Sequence, residues 1–165
     1  MVDKSLGERL QPSLLDRLTD LDPGNPKESR EQRVIDIRRL REIVQRDLSW
    51  LLNTNNAESW IDPDRYPNAS ASVINYGVRE VAGDFSTVQR AEMIRVSIAR
   101  AIRLFEPRIR EGSAHVEMRS EDVARETIVS FDIRADMWAE PVPLELYLRS
   151  NVDITTGEIT LERVG

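Results

Sequence analysis

The apolar residues of this 165-residue chain change their spacing near Gly112, from a helical period to a period of two. Before that point they recur at three- and four-residue intervals, which gathers them on one stripe of a helix. After it they alternate with polar residues, which places them on one face of a strand. A chain patterned this way is neither all helix nor all sheet. It predicts an α+β fold: an antiparallel sheet of three to four strands, mostly C-terminal, packed against two long helices, with a short extra helix and an extended N-terminal arm.

Residues 1–30 read as the arm, with a short amphipathic turn of helix at Leu14 to Leu18 followed by the turn formers Asp22-Pro23-Gly24-Asn25-Pro26. Residues 31–165 read as a single domain. Ser29 with Gln32 forms a capping-box signal, and Val34, Ile37, Leu40, Val44, Leu48 and Leu51 then trace the first long helix to about Asn53. Trp50 and Leu52 widen its apolar face, a pattern that points to core packing. Residues 54–67, with Trp60, Pro63, Tyr66 and Pro67, lack periodicity and read as a packed loop. Asn68 is placed to cap a two-turn helix through Tyr76, with Gly77 where a left-handed residue is wanted.

The second long helix opens on another capping signal, Ser86 with Gln89, and buries Ile94, Ile98, Ala101, Ile102 and Phe105. Arg90, Arg95, Arg100 and Arg103 occupy its other face, as a solvated surface or as a contact for an acidic partner. Val116 and Met118 open the first strand. Val129, Phe131, Ile133 and Ala135 alternate in the second and Leu144, Leu146 and Leu148 in the third, and the last runs from about Glu158 to Arg163. Thr155-Thr156-Gly157 joins the final two as a hairpin, whose outer edge is either blunted or available to recruit another strand.

The second helix stops at Phe105-Glu106-Pro107-Arg108. Proline restricts the preceding residue to extended backbone, and an acid at a helix C-terminus opposes the macrodipole. Local stability therefore does not account for Glu106. A carboxylate and a fork-shaped guanidinium on a rigid turn suit charge-assisted hydrogen bonding to a partner or to each other. On this reading Phe105 is the last core residue, and Glu106 and Arg108 form an outward-facing pair. The alternative is an ordinary helix terminus with solvated charges.

Charge and composition narrow the chemistry. A net charge of -6, from 29 acidic and 23 basic residues, argues against a dedicated nucleic-acid binder. Lys4 and Lys27 are the only lysines, so arginine carries nearly all positive charge, as at protein interfaces or in a product of a GC-rich genome. No cysteine is present for disulfides or thiolate metal sites, and no signal peptide or stretch of about 20 apolar residues appears, so a cytosolic protein is expected. Glycoside hydrolysis requires two carboxyl groups of unequal pKa flanking a bond. Glu80, Asp84, Glu106, Glu111, Glu121, Asp122 and Glu126 supply acids, but none stands among the apolar and aromatic residues that would favour its protonated form. The single His115, at a strand start, has no second histidine or cysteine to complete a metal site or triad. Catalysis, cofactor and metal are not expected.

Ser13-Leu14-Leu15-Asp16-Arg17-Leu18-Thr19-Asp20, Arg46-Asp47-Leu48-Ser49-Trp50-Leu51-Leu52-Asn53-Thr54, Tyr66-Pro67, Ser72-Val73-Ile74-Asn75-Tyr76-Gly77 and Phe105-Glu106-Pro107-Arg108 stand in an order and spacing that resembles the TssE family. These are baseplate subunits of the type VI secretion system, related to the wedge proteins of contractile phage tails that carry a "lysozyme-like" label. Departures are Pro67-Asn68-Ala69-Ser70-Ala71, which is more polar than the family pattern, and Asn55-Asn56 in place of basic residues. The resemblance implies a structural subunit in a baseplate at the cytoplasmic face of the inner membrane. Glu106, Pro107 and Arg108 would dock on the core bundle of the wedge subunits TssF and TssG, with TssK in the same complex. Strands within Val152 to Val164 would receive the sheath proteins TssB and TssC. A peptidoglycan-cleaving hydrolase, or a protein-binding module outside secretion, is the alternative function.

Overall fold

Alternation in the C-terminal third produces four antiparallel strands in the order β1-β2-β3-β4: β1 (His115–Met118), β2 (Ile128–Met137), β3 (Leu144–Asp153) and β4 (Ile159–Arg163). The structure is a computed structural model and describes residues 13–19, 23–24, 35–80, 87–119, 128–138 and 143–164. Among the described residues the helices are α1 (Leu14–Leu18), α2 (Ile37–Leu52), α3 (Pro67–Ser70) and α4 (Thr87–Phe105), with a 3₁₀ turn at Val73–Asn75. The expected α+β fold, with its four-stranded sheet, two long helices and a short extra helix, is present. The chain divides into two compact units, residues 1–46 and 47–165.

In the first unit, the Ser13 hydroxyl accepts from the Asp16 amide and also meets the Asp16 carboxylate, which caps α1. Arg46 donates to both Asp16 oxygens at 2.6 and 3.1 Å. That hydrogen-bonded guanidinium holds the Asp16 carboxyl down at about 2, against the opposing effect of burial. The Asp36 carboxylate accepts from the Arg39 amide at 2.7 Å at the start of α2. The Ser29 and Gln32 capping signal, Val34, and the boundary expected between residues 30 and 31 lie outside the described residues.

In the second unit, Phe131, Ile133, Leu146, Leu148 and Val152 are buried, as are Ile94, Ile98, Ala101 and Ile102 of α4. Each of these side chains larger than alanine contributes about 1.5–3 kcal/mol. Residue Ile133 pairs with Leu148 across β2 and β3, and α4 lies against β1. Asp132 on the polar side accepts from the Tyr147 hydroxyl at 2.9 Å and the Arg149 Nε at 3.3 Å, so the other sheet face is held by a cross-strand polar network. At the β3–β4 hairpin the Asp153 carboxylate accepts from the amides of Thr155 and Thr156, and Gly157 turns at φ +77°. β4 forms one edge of the sheet.

Three local expectations are corrected. Trp50 is half exposed and Trp60 is 88% exposed, so neither is a core anchor and the 54–67 loop is not packed around its tryptophan. Asn68 does not cap a two-turn helix. Proline lacks an amide proton and has a helical φ, so Pro67 takes the first helical position, Tyr66 becomes the cap, and the run breaks into α3 and the 3₁₀ turn. Gly77 has the expected positive φ, +118°, with an added reason. A Cβ there would meet the Thr54 carbonyl oxygen at 2.1 Å, where Thr54, Asn56 and Val78 exchange backbone hydrogen bonds. Ser86 of the second capping signal and the acids Asp84, Glu121, Asp122 and Glu126 lie outside the described residues.

Candidate functional site: the Glu106-Pro107-Arg108 corner

The last helical hydrogen bond of α4 runs from the Glu106 amide to the Ile102 carbonyl at 3.0 Å. Proline cannot extend that ladder, and the chain reverses in a four-residue turn closed by the Ile109 amide on the Glu106 carbonyl at 3.1 Å. Pro107 sits at the second turn position, where its fixed φ is already suitable. Ile109 then bridges Met137, while the Arg110 amide donates to Asp136 and the Trp138 amide to Arg108, each at 2.8 Å. The corner is thus fastened to β2 from both sides of Ile109.

The turn sends the Glu106 carboxylate back over itself. One oxygen accepts from the Arg108 amide at 3.1 Å and its Nε at 2.6 Å, and the other from Nη2 at 2.5 Å. Nη2 also donates to Asp47 of α2 at 2.8 Å. Glu106 is only 4% exposed, against 29% for Arg108 and 22% for Asp47. This corrects the expected outward-facing pair: the carboxylate is inside and the guanidinium covers it. Phe105 is half-buried rather than the last full core residue, and stacks edge-on against Tyr76 at 5.3 Å.

Electrostatics fit this enclosure. Burial disfavours the Arg108 cation, but the hydrogen bonds and charges of Glu106 and Asp47 outweigh it, so its pKa is raised. Burial, then the charges of Asp47 and Glu106, push the Tyr76 phenol up. Arg108 has five N–H donors. Three are engaged at Nε and Nη2, and Nη1 has no partner among the described residues. A braced guanidinium with one end directed away from its internal carboxylates can receive a carbonyl or carboxylate without losing its orientation.

The sequence brought Glu106, Pro107 and Arg108 together by adjacency, but did not attach Asp47 or Tyr76 to them. Asp47 lies 61 residues from Arg108 along the chain. Both missed residues stand inside the motifs Arg46-Asp47-Leu48 and Asn75-Tyr76-Gly77, and an acid in the first was the available signal. On the arginine face of α4, Arg95 is paired with Glu92 at 2.6 Å and Arg100 with Glu58 at 2.9 Å. His115 is exposed on β1. Among the described residues no cluster of His, Cys, Asp or Glu could hold a metal ion, and no helix is long and apolar enough to cross a membrane.

The family model described as baseplate wedge protein gp25 matches residues 38–142, more than half of the chain. No curated protein and no solved structure matches it. The match spans α2, the loop with α3, α4, the Glu106 corner and β2. It agrees with the TssE-like order of motifs, since that family is the secretion-system relative of the phage wedge proteins. With the corner and its supports inside the matched region, the chain belongs to the baseplate wedge protein gp25 family.

Proposed function

We propose that the protein is a non-catalytic type VI secretion baseplate subunit whose Glu106-Pro107-Arg108 corner docks on the core bundle of TssF and TssG, with TssK in the same complex. The observation that carries this reading is the braced guanidinium: Glu106 and Asp47 fix Arg108 from within, leaving Nη1 to a partner. Prearranging a long side chain removes part of the ordering cost of association. Strands within Val152 to Val164 serve as the template for TssB and TssC strands, since β4 is an edge of the sheet. The site of action is the baseplate at the cytoplasmic face of the inner membrane. A hydrolase reading gains nothing from the corner, because a carboxylate receiving three donors from arginine is poorly suited to protonate a leaving group.

Because Glu106 is buried, reversing both charges would test folding more than docking. Arg108→Lys retains the charge and loses the fork. Pro107→Asp changes only the exposed apex of the turn. Co-purification with TssF and TssG should fall for both variants while the circular dichroism spectrum stays native. Undiminished co-purification of two folded variants would remove the corner from the interface.

A further inference from the structure

The 3₁₀ turn before Gly77 carries a carboxamide into the interior with half of its bonding unmet. Asn75 is 2% exposed, and its Nδ2 donates to the Ser70 carbonyl at 2.9 Å. Its Oδ1 is buried and meets no hydrogen-bond donor among the described residues. An acceptor left in that condition costs free energy, so buried polar atoms are nearly always satisfied by protein or by ordered water. Two buried donors stand in the same condition. The Gly77 amide has no acceptor among the described residues. Ser97 of α4 is 8% exposed, and its hydroxyl oxygen accepts from the Arg79 amide at 2.7 Å, which leaves the hydroxyl proton without an acceptor among the described residues.

All three groups belong to residues that line one small cavity, together with Ala101 and Phe105 of α4. About 10 Å³ of it is open to the centre of a water molecule, which is room for one water. The other polar residues on its wall, Asn56 and Arg100, are partly exposed, and Arg100 already donates to Glu58 at 2.9 Å and Ser70 at 2.8 Å. The unmet buried set is therefore one acceptor and two donors. A cation would face the two protons, an anion would face Oδ1, and an apolar occupant would satisfy none of the three. Water has the complementary set: a proton for Oδ1 and two lone pairs for the donors. Three hydrogen bonds is the usual number for a buried water.

We propose that this cavity is a binding site for a single structural water, which donates to Asn75 Oδ1 and accepts from the Gly77 amide and the Ser97 hydroxyl. The water joins the 3₁₀ turn to α4, two segments that are distant along the chain. Tyr76 stands between two of its ligands, and the Tyr76 ring packs edge-on against Phe105 at 5.3 Å. The bridge thus positions the aromatic pair next to the Glu106 corner. The water site follows from the fold alone and holds whatever partner the corner takes.

A crystal structure of the full chain, at a resolution that shows ordered water, should place one water oxygen within about 3.2 Å of Asn75 Oδ1, the Gly77 nitrogen and Ser97 Oγ. An empty cavity, or a protein donor on Oδ1 instead, overturns the proposal. In solution, the Gly77 amide proton should show an NMR cross-peak to water with the sign of a molecule that tumbles with the protein. Absence of that cross-peak counts equally against it. Ala101 lines the cavity and is 2% exposed, so a larger side chain there competes with the water for space. Ala101→Val should abolish the cross-peak and lower Tm by several degrees, because the displaced water leaves Oδ1 and both donors unmet. An unchanged or raised Tm is the response of a dry void that has been filled, and it overturns the proposal.

Discussion

Removing Arg108 should cost the protein stability through the carboxylate it leaves behind. In an Arg108→Met variant Glu106, 4% exposed, loses the donors at 2.6 and 2.5 Å and keeps one backbone amide at 3.1 Å. Orphaning one member of a fully buried pair costs about 3–5 kcal/mol. The 29% exposure of Arg108 admits water and lowers the expectation to about 2–3 kcal/mol. For a chain of this size that is a fall in Tm of roughly 5–10 °C. Methionine retains most of the aliphatic packing, so the loss reports on charge and hydrogen bonds. Glu106→Gln placed on the same background removes the uncompensated charge and should recover much of the deficit, giving strong coupling in a double-mutant cycle. Urea unfolding of the four proteins measures all of this. A loss below about 0.5 kcal/mol for Arg108→Met, or additive effects of the two changes, would refute the reasoning that burial of Glu106 depends on Arg108.

Three further outcomes are expected. Gly77→Ala should destabilise by at least about 3 kcal/mol in chemical denaturation, because φ +118° is strained for alanine and its Cβ would meet the Thr54 carbonyl oxygen at 2.1 Å. The Asn53 side chain donates to the Ile159 carbonyl at 2.8 Å and accepts from the Ile159 amide at 2.9 Å, so Asn53→Ala should cost about 1–3 kcal/mol and speed amide exchange at Ile159. Asp16, held at about 2 from the ordinary 3.8, stabilises the α1 contact with Arg46 above the ordinary value; that contribution is lost as pH falls from near 3.8 through about 2. An NMR titration of the Asp16 carboxyl should show this low midpoint, and Arg46→Gln should raise it.

Local rules carried far where the pattern was strictly periodic. Alternation of Val129, Phe131, Ile133 and Ala135 identified the buried face of β2, because neighbouring side chains on a strand must point oppositely. The same reasoning found α4 through Ile94, Ile98, Ala101 and Ile102, and Pro107 announced its end. It failed at Trp50 and Trp60, where a large apolar side chain was equated with burial. Residue type sets the gain from burial, while exposure depends on which elements surround the position. It failed also at Asn68, where two local capping choices competed and Pro67 prevailed.

What the sequence determined by itself was the α+β composition, the strand alternation, the hairpin at Gly157 and a proline-ended helix carrying an acid and an arginine. Each of these follows from dihedral limits and side-chain periods within a few residues. Tertiary structure alone decided the inward turn of Glu106. Its burial requires Asp47, distant along the chain, to share Arg108, and requires β2 to fasten the segment beyond Pro107. A carboxylate in that position is tolerated only when its charge is compensated inside the protein, and such compensation is a property of three-dimensional proximity, which adjacency in the chain does not supply.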